Sequence, residues 1–172
     1  MTSPRPAPPQ PTLVVGLGSP DRGDDAVGGL VARAVAALAD PRVVVLEHED
    51  PTDLIELWTG RERVVVVDAT RSGAAPGTLR LLETGADRAP LPEAAWARTG
   101  RGGTHAFGLA SAVELARVLR RLPARVTVVG VEGAAFEPGG RLSPAVAAAV
   151  PDAVDAVLDA VAAERGSADV PG

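Results

Sequence analysis

Short, unbroken apolar runs alternate along this chain with longer stretches whose apolar residues recur every three or four positions. The unbroken runs are Thr12–Val15, the VVVL within Arg42–Glu47, RVVVVD at Arg63–Asp68 and RVTVVGV at Arg125–Val131. A run that is apolar at every position suits a strand covered on both faces, as in a parallel sheet. Between the runs lies helical spacing. Val27, Leu30, Val31, Ala34, Val35 and Leu38 predict a helix with Asp24 at its N-cap and Asp25 in its first turn. Leu54, Leu57 and Trp58 predict a short helix over Asp53–Thr59. Leu109, Val113, Leu115, Ala116 and Leu119 predict another, capped by Thr104 and reaching about Leu122. Ser143-Pro144 reads as an N-cap with proline in the first turn. Pro151 should break or restart that helix before a last piece ending near Glu164.

One further strand, Thr78–Glu83, breaks the alternation. Only Ala69–Gly77 separates it from the strand before, and that segment contains Gly73, Pro76 and Gly77. A parallel crossover needs a dozen or more residues, so this strand should run antiparallel, at or near an edge. The whole pattern predicts a three-layer α/β/α sandwich around a mostly parallel sheet. Ligands in such sheets bind beyond the carboxyl ends of the strands, near a switch in strand order. Residues 1–11 carry five prolines and no apolar pattern, which predicts a disordered tail. A single domain is expected over residues 12–165, followed by a flexible end at 166–172. The Gly85–Gly103 stretch is long and irregular, as functional loops often are.

Composition narrows the class. The length of 172 residues suits one domain, and aromatics at 2% leave the core to Val, Leu and Ala. A net charge of −5 argues against nucleic acid or an anionic membrane as partner. The absence of cysteine excludes disulfides, thiolate catalysis and Cys-type zinc sites. The start lacks an apolar h-region, and no apolar run reaches membrane-spanning length. A cytoplasmic protein is the expectation.

Candidate chemistry begins at GLGSPDRGDD, Gly16–Asp25. A dinucleotide fingerprint needs G-x-G-x-x-G, but the third glycine slot is Asp21. Asp24 and Asp25 then occupy the helix start, where a phosphate would otherwise be attracted. Carboxylates there favour a cation over a nucleotide. Asp68 ends the VVVVD run, and His105 stands at the start of a later helix in GGTHAFG. Each alone has an ordinary structural explanation: a cap, a turn former, a helix-end histidine. Together, two carboxylates and one imidazole from three element ends can hold a divalent transition metal with positions left open. His48, between Glu47 and Glu49, is a competitor, or else a loop histidine paired with those acids. Glu132, after the last strand, lines the same rim or faces water.

Other catalytic plans fit poorly. There is no G-x-S-x-G elbow and no HExxH. Neighbouring Asp24 and Asp25 do not face one another on a helix, so they cannot alone form an aspartic dyad.

VVGLGSPDRGDDAVG, VVVVDATRSGAAPGTL, THAFGLASAVELARVL and VVGVEGAAFEPGGRLSPAVAAAVPDAV, in this order, resemble the maturation endopeptidases of nickel–iron hydrogenases (peptidase family M52) over roughly residues 12–160. The resemblance implies a phosphorylase/hydrolase-like α/β/α sandwich with a twisted five-stranded sheet. It implies removal of a C-terminal extension from the hydrogenase large-subunit precursor once nickel is inserted. It places the metal contacts on Asp25, Asp68 and His105, with Ni²⁺ supplied by the precursor and Zn²⁺ or Cd²⁺ as surrogates. A monomer is expected. Two departures stand out: Ser19 where many members have asparagine, and HEDPTDL where many have a glycine-rich turn. The rivals are a non-catalytic α/β module that binds a metal or small ligand to regulate a partner, and a flavodoxin-like nucleotide-binding domain.

Overall fold

A computed structural model describes residues 10–92 and 108–163 of the chain. Five strands form one sheet in the order β2-β1-β3-β5-β4. They are β1 (Thr12–Leu17), β2 (Val43–His48), β3 (Arg63–Thr70), β4 (Leu79–Thr84) and β5 (Arg125–Glu132). β1, β2, β3 and β5 are mutually parallel, and β4 runs antiparallel along the outer side of β5. The expected sandwich and its antiparallel edge strand are therefore present. The short link that forces this direction is closed by a tight turn. Thr78 N–H donates to the Ala75 carbonyl, with Pro76 and Gly77 (φ 83°) between them, the residues such a turn favours.

The apolar runs feed two cores at once. Leu13, Val15, Leu17, Val64, Val66, Val126 and Val128 face a layer containing α2 (Leu54–Leu57) and α3 (Leu109–Val118). Val14, Val65, Val67, Val129 and Val131 face α1 (Val27–Ala37) and α4 (Pro144–Ala163). Alternate side chains of one strand thus enter opposite layers, which is why no polar position interrupts Val64–Val67. Burying each such valine fully is worth on the order of 1.5–3 kcal/mol relative to exposure. Chain order also sets the site. From β1 the chain passes through α1 to β2, then crosses back to β3 on the other side of β1. The strand order therefore reverses between β1 and β3, the crevice where ligands bind in such sheets.

Several local expectations are corrected. α4 runs unbroken through Pro151. The proline ring is exposed, while Val146, Ala149, Ala153, Val157 and Val161 form one buried stripe on either side of it. Packing of that stripe holds the helix across the lost hydrogen bond, and the orphaned carbonyl lies on the solvent side. Leu38 is 55% exposed because α1 ends at Ala37 and the chain turns away. Leu115 and Leu119 are also exposed, since the inward stripe of α3 is Leu109, Ala112, Val113 and Ala116. Thr104 and His105, the expected cap and its histidine, lie outside the described residues. So do residues 1–9, 93–103 and 164–172, and with them most of the expected tail, loop and terminal segment. Among the described residues, no helix is long and apolar enough to cross a membrane.

Candidate active site

The glycine turn after β1 exists to bring a helix start against the sheet. Gly18 adopts φ 127°, and a Cβ there would lie 2.0 Å from the Asp25 carbonyl oxygen. Gly28, the second residue of α1, would press a Cβ to 2.2 Å from the Leu17 carbonyl oxygen and 2.5 Å from that of Val67. No residue larger than glycine allows this approach. The start of α1 therefore packs against the backbone of both β1 and β3, with Asp25 in the turn before it and Asp68 next after Val67 in β3. Asp25 is 2% exposed, and its Oδ2 accepts the Ser19 N–H at 2.8 Å. A backbone donor from residue 19 does not need an asparagine side chain there. Asp68 is half-buried and registers with Gly130 of β5. Its parity in the strand matches Val64 and Val66, which directs it to the α3 layer. The chain entering α3 is the segment that carries His105, which lies outside the described residues. Among the described residues, no group of three metal-binding side chains assembles.

Asp24 does something other than cap its own helix. The residues Gly23–Ala26 form a 3-10 turn with no side-chain cap. The Asp24 carboxylate, fully buried, instead reaches the far end of the chain. Its Oδ2 accepts the Ala134 N–H (2.8 Å), the Ala135 N–H (2.9 Å) and the Ser143 hydroxyl (3.0 Å); its Oδ1 accepts the Ser143 N–H (2.7 Å). Its own N–H donates to the Ala135 carbonyl at 2.7 Å. Burial pushes its pKa up, but these donors more than offset that and hold it below the ordinary value. Asp24 is thus a clasp joining the Asp25 turn to the loop after β5 and to the start of α4.

Glu132 is a second clasp, and neither a rim ligand nor a solvated acid. It is 3% exposed. Its oxygens accept the Thr70 hydroxyl (2.7 Å), the Ser72 N–H (2.8 Å) and hydroxyl (2.9 Å), and the Gly73 N–H (2.8 Å). Burial again raises its pKa, and the hydroxyl and backbone donors reverse the sign, leaving it lowered. The loop that follows Asp68 is fixed by this one carboxylate. Sequence reasoning missed both roles because the partners lie far away in the chain. His48 ends β2 beside Leu17, and its Nδ1 lies 3.1 Å from Asp53 Oδ2. Glu47 pairs with Arg33 at 2.5 Å, so the expected pairing of His48 with its immediate neighbours is replaced by Asp53.

The carboxylates of Asp24 and Glu132 are filled by donors from distant segments, whereas Asp25 accepts from the nearby Ser19 N–H and Asp68 lies in β3. The fold and sequence as a whole match known proteins. The family model described as hydrogenase maturation protease matches residues 37–160, a span that includes Asp68 and position 105 and begins beyond Asp25. The hydrogenase 2 maturation protease of Escherichia coli is 29% identical over 157 residues, covering 87% of this chain and 89% of that protein. The solved structure of the hydrogenase maturating endopeptidase HybD from E. coli superposes with a TM-score of 0.71 at 27% identity, covering 92% of this chain and 94% of the other. That of an endopeptidase from E. coli gives 0.74 at 26%, with 88% and 92% covered.

The chain belongs to the hydrogenase maturation protease family. It is a protease, a hydrolase of peptide bonds, whose substrate class is a hydrogenase precursor.

Proposed function

We propose that the protein removes the C-terminal extension of a nickel-loaded [NiFe] hydrogenase large-subunit precursor, and that Asp25, Asp68 and His105 contact the nickel carried by that substrate. What supports this reading is that Asp25, in the turn leading from β1 into α1, and Asp68, in β3, belong to the two strands between which the order reverses, in a family described as hydrogenase maturation protease. Two carboxylates and an imidazole suit a borderline divalent ion and leave positions for the substrate's own ligands. Three protein ligands also fall short of the closed four-ligand cage of a structural zinc site. Zn²⁺ or Cd²⁺ would serve as surrogates for Ni²⁺ on the same donors.

The division of labour follows from the hydrogen bonds. Ser19 N–H holds one oxygen of Asp25 and so orients the carboxylate. Asp24 keeps the turn beneath it in place. Asp68 approaches from β3 with its loop anchored through Glu132. A metal gripped there would dock the precursor with its scissile peptide across the crevice, and would polarise the carbonyl or a water. The protein acts as a monomer in this reading.

The test is to incubate the protein with nickel-loaded and nickel-free large-subunit precursor and to follow tail removal by intact mass. Cleavage of the loaded form alone, lost in Asp25→Ala, Asp68→Ala and His105→Ala, is the expected result. Stable binding without cleavage by the unmodified protein would instead favour a regulatory, non-catalytic role.

A further inference from the structure

Arg71 is the first residue beyond β3, three positions after Asp68. Its side chain is exposed, and its guanidinium carbon lies 4.2 Å from the centre of the Phe136 ring. Among the described residues this cation makes no ion pair, unlike Arg33, Arg42, Arg88, Arg117 and Arg121. Both members of the stack are firmly placed. The backbone on either side of Arg71 is held by Glu132, through the Thr70 hydroxyl before it and the Ser72 and Gly73 N–H groups after it. Phe136 follows directly on Ala134 and Ala135, which are bound by the Asp24 carboxylate.

The stack also stands beside the crevice. A Cβ on Gly133 would lie 2.5 Å from Phe136 Cζ and 3.0 Å from Asp24 Cβ. The ring and the Asp24-Asp25 turn therefore flank the same glycine. An arginine laid flat on an aromatic face has lost much of its rotamer freedom already, while its N–H edge still points outward. Two buried carboxylates, themselves inaccessible to substrate, thus fix an accessible cation beside the Asp24-Asp25 turn.

We propose that Arg71 is a specificity-determining residue that binds a carboxylate of the precursor peptide, with Phe136 as its platform. The planar fork of a guanidinium matches a carboxylate in two parallel hydrogen bonds. It supplies the anion-binding element that Asp25 and Asp68 cannot. This deepens the reading above and rests on it for the identity of the peptide. The source of the carboxylate is an acidic side chain of the extension or the terminal carboxylate itself.

Two readouts separate this proposal from the functional reading. A labelled synthetic peptide spanning the cleavage region and extension is titrated with the unmodified protein, Arg71→Ala and Arg71→Lys, and tail removal from nickel-loaded precursor is measured in parallel. Arg71→Ala should weaken peptide binding and raise KM by about tenfold with kcat within about twofold, the signature of lost ground-state binding. Arg71→Lys keeps the charge but not the fork or the stack, and should recover only part of the loss. Phe136→Leu should give a smaller KM effect of the same kind. Peptides with an amidated terminus, or with acidic side chains changed to amides, identify the source: the one Arg71 contacts binds the unmodified protein as weakly as the parent peptide binds Arg71→Ala. Peptide binding that depends on Arg71 without any cleavage would sustain the proposal and sink the functional reading. Cleavage with KM and affinity unchanged in Arg71→Ala would overturn the proposal and leave that reading standing, as would failure of the peptide to bind a protein that cleaves the precursor.

Discussion

The carboxylate of Asp24 accepts both the amide and the hydroxyl of Ser143, residues 119 positions apart. Through this pair the turn bearing Asp25 is tied to the first residues of α4, and the loop after β5 is closed over it. Asp24 and Asp25 are adjacent in sequence and differ in role: one holds the framework, and its neighbour is the proposed metal contact.

Their substitutions should therefore separate. Asp24→Ala leaves two loop N–H groups and the Ser143 N–H without their acceptor, at about 1 kcal/mol or more for each buried donor. We expect a loss of about 3 kcal/mol in urea unfolding, with activity falling because the turn is no longer held. Asp25→Asn preserves shape and should change stability by less than about 1 kcal/mol, yet weaken metal-dependent docking at least tenfold. Losing even an outer partner of a metal ligand commonly costs about 10–100-fold. Equal destabilisation by both variants would contradict this assignment.

The two clasps predict an acid limit to stability. Asp24 and Glu132 both have folded pKa values below their ordinary ones of 3.8 and 4.5. Between the folded and unfolded values the unfolded chain binds more protons, so stability rises with pH there. Their contribution is complete above the ordinary carboxylate range and disappears as pH falls through the depressed values. Thermal melts should be flat above about pH 5.5 and drop steeply below about pH 4.5. Glu132→Gln should shallow that drop.

Glu132→Gln also tests why a carboxylate is there at all. Every partner is used as a donor: Thr70, Ser72 twice and Gly73. An amide must turn an N–H₂ toward one of them. A loss of about 2 kcal/mol is expected despite the near-identical shape, because unsatisfied buried donors cost about 1–3 kcal/mol. A neutral result in calorimetry would show that Glu132 is not the anchor of this loop.

Gly18→Ala attacks the site through the backbone. The residue combines φ 127° with an approach that leaves no room for a methyl group. The variant should lose about 2–3 kcal/mol, the scale of a strained backbone plus overpacking. It should also lose cleavage beyond what the unfolded fraction explains, since the displaced atom is the carbonyl of Asp25.

Pro151→Ala should move in the other direction. The ring is exposed within a continuous helix, so alanine restores a hydrogen bond without disturbing the buried stripe. A mid-helix proline costs about 3 kcal/mol, and the added freedom of the unfolded chain takes back up to about 1 kcal/mol. Net stabilisation of about 1–2 kcal/mol, seen as a rise in Tm, is expected.

Much of this architecture was readable from the sequence because its cause is local. VVVV in β3 is apolar throughout because it serves two layers, and nine residues from Ala69 to Gly77 cannot cross a sheet. Asp25 and Asp68 were chosen for a related reason, as acids near the carboxyl ends of strands, although β3 continues two residues past Asp68 to Thr70. Asp24 and Glu132 were not legible. Their partners are 110–119 and 59–62 residues away, and nothing in GDDA or GVEG encodes a partner at that distance. Leu38, Leu115 and Leu119 misled for another reason: helical spacing shows that a helix has an apolar side, but not where the helix stops or how wide the neighbouring layer is.

The bond from Asp24 to Ser143 also has a consequence in time. A ribosome adding about 5–20 residues per second needs roughly 6–24 seconds to travel from one to the other. Until Ala134 and Ala135 are made, late in that interval, the Asp24 carboxylate lacks every one of its long-range donors, and the turn is held only by local bonds such as Ser19 N–H to Asp25. A nascent chain therefore cannot set its cleft before α4 has begun to emerge, so premature termination anywhere ahead of it yields a fragment without a working blade.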